Sequence, residues 1–326
     1  MRQSLVMIGL ALALAGAARA EKTCQLRQIG ELPVTVDGQA TVEARIDGQP
    51  ARMMIDTGSA MTLLTRPTAR RLGLALRQYR GVEFYGIGGK EPMESARLKE
   101  FKVGDMVARD YDMVVTGGEN LGDAQGLLGA YFLLQADVEF DFPDGKVRFF
   151  KPQDCQGDQV VYWGKAYSVV PMVGTTNNEI EISVLLNGKP TPAEMDTGMP
   201  ATLVTLEGAA KAGVTPTSDG VSAAGRLGGM GPNQVKVFAG VFSTFAFGDE
   251  TIRNARLEIA DPFHDDKDVP TNSHIGVSAV EEPRMLLGAD FFRSHRVYVA
   301  RGQRKVYVSY VGGPVFSGPT APPAAK

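Results

Sequence analysis

The sequence of this 326-residue chain repeats itself, and the repeat limits the possible folds more than any other feature. An offset of 140 residues aligns Asp47–Pro50 with Asn187–Pro190 and keeps its register for about 45 residues. Offsets of 144 and then 159 align the later segments, so the second copy carries its extra residues mainly between Asp261 and Glu282. A duplicated unit of this size predicts two similar domains in one chain.

Each copy begins with a pattern that is typical of a β-hairpin. Polar and apolar residues alternate from Thr41 to Ile46, and Asp47-Gly48 separates this run from a second one, Ala51 to Ile55. The second copy repeats the pattern around Asn187-Gly188. Asp-Gly and Asn-Gly favour tight primed turns, so both copies predict an antiparallel hairpin.

A short helix follows in each copy, predicted from about Pro67 to Leu72 and from Glu207 to Ala212. Each ends at a glycine, Gly73 or Gly213, which can adopt the left-handed conformation that commonly terminates a helix. Other segments alternate with a period of two, as strands do. The sequence therefore predicts an all-β protein with two similar lobes.

The first twenty residues are typical of an export leader, with Arg2 before an uncharged apolar run and Ala18-Arg19-Ala20 as a cleavage site. The alternative, a membrane anchor, is disfavoured because the run is shorter than the ~20 residues that span a bilayer. The balance of 34 Lys+Arg against 37 Asp+Glu provides no basic surface for nucleic acid or an anionic membrane. These observations predict a periplasmic or secreted protein.

The domain boundaries follow from composition and from the repeat. We predict a signal peptide at residues 1–20, an N-terminal lobe at 30–150, a linker at 151–164, a C-terminal lobe at 165–312 and a disordered tail at 313–326.

After cleavage of the leader, Cys24 and Cys155 are the two cysteines of the chain. An even count in an exported protein favours a disulfide, and the two residues flank one segment whose ends they can join. Two unrelated thiols are the alternative. A cysteine nucleophile is disfavoured because no histidine lies in a recognisable Cys/His motif.

The candidate chemistry lies in two matching triplets, Asp56-Thr57-Gly58 and Asp196-Thr197-Gly198, each of which follows an apolar strand. Each triplet has a downstream partner, Leu127-Leu128-Gly129 or Leu286-Leu287-Gly288. Two acids at equivalent strand ends can meet at an approximate two-fold axis. Like carboxyls held ~3 Å apart share one proton, and such a pair can act as general base and general acid.

In these triplets and partner elements the sequence resembles the aspartic proteases of the pepsin and retropepsin type, from about Leu32 to Tyr310. The resemblance implies a bilobal acid protease fold, with two tandem β-barrel-like lobes related by pseudo-two-fold symmetry. It also implies that Asp56 and Asp196 are the catalytic dyad of an aspartic endopeptidase.

The resemblance assigns supporting roles to the neighbours of the two acids. Thr57 and Thr197 brace the two loops across the axis, and Gly58 and Gly198 let the backbone approach the carboxylates. The hydroxyl of Ser59 supports the nearby carboxylate.

The position that matches Ser59 in the second copy is Met199, followed by Pro200, whereas the family prefers a small or hydroxylated residue there. This departure keeps an alternative open, in which the chain is a catalytically impaired peptide-binding or regulatory protein that retains the fold.

The segment Phe84-Tyr85-Gly86-Ile87-Gly88-Gly89 resembles the flap that closes over substrate in this family, with Tyr85 in the place of the flap tyrosine. Its counterpart, residues 226–231, is either a second flap or a surface hairpin.

The implied reaction needs no cofactor and no metal. An acidic stretch containing His264, Asp265, Asp266 and Asp268 is interpreted as a solvated loop, with a cation site as the alternative. The expected partner is a peptide or protein substrate, with no nucleic acid and no stable membrane anchor. We expect a monomer whose two lobes form an intramolecular pseudo-dimer.

Overall fold

A computed structural model describes residues 23–118, 121–164, 166–174, 179–262 and 284–316. The predicted leader and the stretch with His264 lie outside these residues. In the described part of the chain, none of the helices has the length and apolar character to cross a bilayer.

The first half of the chain contains eleven strands and two short helices. In order they are β1 (Gln25–Pro33), β2 (Thr35–Asp37), β3 (Gln39–Ile46), β4 (Gln49–Ile55), β5 (Leu63–Thr65), α1 (Arg66–Arg71), β6 (Leu76–Gly86), β7 (Gly89–Val103), β8 (Met106–Thr116), β9 (Gly126–Leu128), α2 (Ala130–Leu133), β10 (Asp137–Asp141) and β11 (Lys146–Gln153). A 3₁₀ turn at Gly157–Val160 follows.

The second half repeats this order. Its elements are β12 (Ser168–Pro171), β13 (Glu181–Leu186), β14 (Lys189–Met195), β15 (Leu203–Thr205), α3 (Leu206–Lys211), β16 (Ser222–Gly228), β17 (Gln234–Phe247), β18 (Glu250–Ala260), β19 (Met285–Leu287), α4 (Ala289–Phe292), β20 (His295–Ala300) and β21 (Lys305–Tyr310).

Both predicted hairpins are present. β3 pairs with β4 and β13 pairs with β14, in each case antiparallel. The turn residues Asp47, Gly48, Asn187 and Gly188 all have positive φ angles, between 49° and 83°. This is the geometry of a type I′ turn, whose twist matches that of the flanking strands.

The two predicted helices begin and end through the same local contacts. The hydroxyl of Thr65 caps α1 by accepting a hydrogen bond from the amide of Thr68, and Thr205 caps α3 in the same way. Gly73 and Gly213 follow the C-termini with φ angles of 69° and 82°, which a residue with a side chain rarely adopts.

Each lobe is a closed six-stranded barrel. In the first lobe the sheet order β3-β4-β9-β5-β8-β7 is closed by pairing of β3 with β7. In the second, β13-β14-β19-β15-β18-β17 is closed by pairing of β13 with β17. Closure removes free strand edges and encloses an apolar core in each lobe. The predicted all-β, two-lobed fold is confirmed.

A third sheet joins the lobes, in the order β1-β11-β10-β20-β21-β12. Its central pair is β10 with β20, in which Glu139 lies opposite Tyr298. The 159-residue offset aligns these two residues with each other. A residue that pairs with its own counterpart lies on the pseudo-two-fold axis, so this sheet fixes the two lobes symmetrically.

Buried charges lie on this joining sheet. The guanidinium of Arg148 bonds to Glu139, which is fully buried, and to Asp141 at 2.9 Å. Arg296 also bonds to Glu139, at 3.0 Å, and its guanidinium lies 4.8 Å from the ring centroid of Trp163. These contacts connect strands of both lobes with the segment between them.

The predicted disulfide between Cys24 and Cys155 is present. It lies beside the end of the β1–β11 ladder, where Gln25 pairs with Gln153. The cross-link therefore closes the open end of a strand pair whose members are far apart in sequence.

The predicted tail, 313–326, begins within the described part of the chain. The chain is described as far as Phe316, whose side chain is 3% exposed and packs against Phe245 and Phe291. Burial of one aromatic side chain in an apolar site stabilises the folded chain, and it can order a segment whose Pro- and Gly-rich composition suggests disorder. Residues 317–326 lie outside the described part.

Replacement of Arg148 by Met should lower the free energy of unfolding by about 3–5 kcal/mol, because it leaves Glu139 and Asp141 buried with one cation fewer. Urea denaturation measures the effect. The matched control is Arg97→Met, which breaks a solvent-exposed ion pair with Asp112 and should cost no more than about 1 kcal/mol. Equal losses in the two variants would contradict a structural role for the buried network.

Candidate active site

The two Asp-Thr-Gly triplets begin where β4 and β14 end. The amide of Asp56 donates to the carbonyl of Leu128 at 3.1 Å, and the amide of Asp196 donates to that of Leu287 at 2.9 Å. β4 and β9 are parallel neighbours, as are β14 and β19. The Leu-Leu-Gly elements thus hold each acid at the end of a buried strand pair.

Hydrogen bonds between two threonines lock the loops together across the pseudo-axis. The amide of Thr57 donates to the hydroxyl of Thr197 at 3.1 Å, and the amide of Thr197 donates to the hydroxyl of Thr57 at 3.0 Å. Each hydroxyl donates in turn to the opposite strand, to Met195 and Ile55 at 2.6 and 2.9 Å. Both side chains are buried.

The glycines of the triplets are required by close approach. A Cβ on Gly58 would overlap the carboxyl of Asp196, and a Cβ on Gly198 would overlap that of Asp56. Each carboxyl therefore lies against the backbone of the opposite loop. The two carboxyls also lie within hydrogen-bonding range of each other.

Backbone amides surround both carboxylates. Oδ1 of Asp56 accepts from the amides of Gly58 and Ser59, each at 3.0 Å. Oδ1 of Asp196 accepts from the amide of Gly198 at 2.9 Å, and the amide of Met199 donates to the backbone carbonyl of Asp196 at 3.2 Å. The amides of Met199 and Gly58 also lower the pKa of Asp196.

Ser59, predicted to support the carboxylate through its hydroxyl, contacts Asp56 through its amide. Its hydroxyl donates to the carbonyl of Met61 at 3.0 Å. Since an amide is present at every position, Met199 can make the corresponding contact without a hydroxyl.

Burial raises the pKa values of both acids, and the charge of Asp196 adds to the rise for Asp56. Loss of solvation and then the charge of Asp196 raise the pKa of Asp56 well above its ordinary value. Burial raises the pKa of Asp196 too, but hydrogen bonds from the Gly198 amide and from Asp56 oppose the effect. The pair therefore retains one proton at a pH where an isolated aspartate is ionised.

Two residues of the site carry no sequence motif. The amide side chain of Gln39 donates to the carbonyl of Gly198 at 2.9 Å, from one lobe to the other. Glu194 lies two residues before Asp196, and burial together with the charge of Asp196 raises its pKa well above the ordinary value. In the first lobe its repeat counterpart is Met54, so the acidic character belongs to one lobe alone.

The dyad lies on the floor of a cavity of about 420 Å³ between the lobes. Phe84, Tyr85, Gly86 and Ile87 of the predicted flap line it. Tyr85 is 41% exposed, and its hydroxyl lies 3.5 Å from Glu83.

The second hairpin lines the same cavity through residues 226–230. Of the two alternatives for residues 226–231, this position favours a second flap. Its tip meets that of the first hairpin: the amide of Gly231 donates to the Ile87 carbonyl, and that of Asn233 to the Gly88 carbonyl, each at 3.0 Å. Gly88 has a φ of 91°, and a Cβ there would overlap Asn233. Gly89 begins the return strand.

The two tips also exchange apolar contacts between the lobes. Ile87 packs with Met199 in a cluster of the second lobe, whereas Met230 packs with Met54 and Leu127 in a cluster of the first. Each hairpin thus packs its tip against the other lobe, and the two hairpins together form a roof over the two acids.

Within the described ranges, no group of three or more His, Cys, Asp or Glu side chains is arranged to hold a metal ion.

Comparisons with known proteins agree with this architecture. No curated protein sequence matches the chain. Among solved structures, the crystal structure of the aspartic proteinase from Irpex lacteus superposes with a TM-score of 0.51 at 14% identity, and the match covers 90% of this chain and 98% of that one. At this identity the likeness concerns the fold alone.

The family model for aspartyl proteases matches two tandem regions, residues 42–132 and 182–291. Each region contains one Asp-Thr-Gly triplet and one Leu-Leu-Gly element. Since these matches cover more than half of the sequence, the chain belongs to the aspartyl protease family.

Proposed function

We propose that this protein is an exported aspartic endopeptidase in which Asp56 and Asp196 act as one dyad. The observation that carries the proposal is the meeting of two buried carboxyls, related by the pseudo-two-fold axis, on the floor of a roofed cleft. Such a pair keeps one proton, and its members then differ in chemical role although their surroundings are alike.

In the proposed reaction a water molecule between the carboxyls attacks the carbonyl carbon of the scissile peptide. The ionised carboxyl takes a proton from this water as the C–O bond forms, while the protonated carboxyl donates to the carbonyl oxygen. Collapse of the tetrahedral intermediate breaks the C–N bond, and a proton passes to the leaving nitrogen. The reaction releases an acid and an amine and returns the dyad to its starting charge.

The roof has a role in this proposal. In the proposed reaction the two hairpins, which are joined by backbone hydrogen bonds, close over the bound substrate and exclude water, and this strengthens the interactions of the dyad with substrate. An extended peptide longer than the cavity enters only when the hairpins separate, so opening precedes binding.

Export is the second part of the proposal. The leader pattern at residues 1–20 supports it, and so does the disulfide between Cys24 and Cys155, since such bonds persist in oxidising compartments.

The alternative function, a peptide-binding or regulatory protein without activity, rested on Met199. The backbone amide of Met199 weakens that argument, because it lowers the pKa of Asp196 and a serine at this position would supply the same group.

Asp56→Asn and Asp196→Asn should each lower kcat for cleavage of an unfolded protein substrate by about a hundredfold to ten-thousandfold, because each removes one partner of the proton transfer. The matched control is Asp37→Asn, which alters another acid that lines the same cleft and should stay within about threefold. Unchanged cleavage in either dyad variant would remove that residue from the mechanism.

Asp56→Asn should also make the stability of the protein less dependent on pH. A carboxyl whose pKa is raised by folding stabilises the native state when protonated, and that contribution is lost as pH rises through the folded pKa. The variant should therefore be more stable than the wild type at neutral pH, and the difference should shrink in acid. Thermal unfolding across pH measures it, and a difference that grows in acid would contradict the assigned direction.

Met199→Ser should separate activity from packing. It preserves the amide that bonds to Asp196, so kcat should stay within about tenfold of the wild type. It empties a buried position beside Leu203 and Leu286, which should lower the free energy of unfolding by about 2 kcal/mol or more. A large gain in kcat would show instead that Met199 impairs the enzyme.

A further inference from the structure

The first lobe carries an apolar groove that the proposed reaction does not use. It has a volume of about 520 Å³, and its walls include Met61, Val107, Tyr111, Tyr131 and Phe132. None of its lining residues lines the cleft of the dyad. We call it the first-lobe groove.

The corresponding place in the second lobe is filled by the chain itself. The repeat aligns Phe101 with Phe245 and Phe132 with Phe291. In the second lobe Phe316 packs onto both counterparts, with ring centroids 4.9 Å from Phe245 and 6.3 Å from Phe291. An aromatic side chain from the segment after β21 therefore occupies this site.

Exposure differs between the lobes accordingly. Phe291, covered by Phe316, is fully buried, whereas its counterpart Phe132 is only half-buried. Tyr131 and Val107 on the groove walls are 52% and 45% exposed. An open set of large apolar side chains of this kind is typical of a binding surface.

Tyr111 fills part of the groove. Its ring stacks on Phe101 with the centroids 5.9 Å apart, at a position where the second lobe has the small Ala255. Phe101 is thereby covered, and Phe132 remains the open aromatic floor.

The first lobe cannot cover this floor in the way the second does. The residue that the repeat aligns with Phe316 is Gly157, which has no side chain and begins the 3₁₀ turn after β11. That turn packs elsewhere, with Val160 buried beside Tyr298 and Tyr307. The disulfide at Cys155 directs the chain towards β1 and away from the groove.

We propose that the first-lobe groove binds a segment of a partner protein in which an aliphatic residue precedes an aromatic one, as Val315 precedes Phe316. The packing of Phe316 on Phe245 and Phe291 in the second lobe is the basis for this choice of ligand. The leader and residues 317–326 contain no aromatic residue, and the Phe316 of a second copy is already buried in its own lobe. Binding in this groove does not require the proposed catalytic activity, because the groove shares no lining residue with the cleft.

The test uses a fluorescein-labelled peptide, Gly-Gly-Pro-Val-Phe-Ser-Gly, with the sequence of residues 312–318, and measures its binding by fluorescence anisotropy. Wild-type protein should bind it, and a probe with Ser in place of Phe should bind about tenfold more weakly or worse. Val107→Glu places a charge in the apolar groove and should weaken binding of the Phe probe about tenfold or more. The matched control is Val241→Glu, an equally exposed strand valine of the other lobe, which should leave binding within about twofold.

Several results would overturn the proposal. No binding to the wild type up to about 1 mM, or equal binding by Val107→Glu and Val241→Glu, would show that the groove is not the site. A dimer in light scattering that Val107→Glu dissociates would assign the groove to a second copy. Phe263 is the one Phe, Tyr or Trp residue of the stretch 263–283, which lies outside the described residues. Probe binding that strengthens about fivefold after removal of residues 317–326, or in Phe263→Ser, would assign the groove to the chain itself.

Discussion

Two acids that repel each other are held together at the centre of this molecule, and the reciprocal hydrogen bonds of Thr57 and Thr197 hold them there. Burial of two like charges is costly, as the raised pKa values of Asp56 and Asp196 indicate. Amide donors on each loop offset part of this cost. Every other feature of the site serves this arrangement, because a small displacement of either loop would separate the carboxyls.

The joining sheet keeps that displacement small. Its central residues, Glu139 and Tyr298, lie on the same pseudo-axis as the two threonines, so one symmetry governs both contacts between the lobes. The buried ionic network around Arg148 and Arg296 depends on strands from both halves. The lobes are therefore parts of one site. After the threonine pair and the joining sheet, the roof is a third connection, because Ile87 and Met230 each pack in the opposite lobe.

The sequence predicted those features in which a local pattern has a single structural meaning. Asp47-Gly48 and Asn187-Gly188 specify primed turns, Gly73 and Gly213 specify helix ends, and the doubled triplets specify a pair of acids. It could not predict contacts between residues that are distant in sequence and follow no motif. Gln39 donates a hydrogen bond to Gly198 in the other lobe. Phe316 belongs to a segment whose composition suggested disorder, yet its side chain packs against Phe245. Ser59 is an intermediate case, because a residue at this position does contact Asp56, but the contact comes from its amide while its hydroxyl bonds to Met61.

Duplication made the dyad symmetric, but the surroundings of the two acids have diverged. Gln39 donates to the carbonyl of Gly198, and this polarises the peptide whose amide, at Met199, faces Asp196. The repeat aligns Gln39 with Glu179, so the second copy carries a carboxyl where the first carries an amide. The pKa of Asp56 rises more than that of Asp196, because the charge of Asp196 adds to the effect of burial on Asp56, whereas the hydrogen bond between the two carboxyls lowers the pKa of Asp196. Two acids that share one proton need such a difference if each is to hold a fixed role, since a perfectly symmetric pair would place the proton on either one equally.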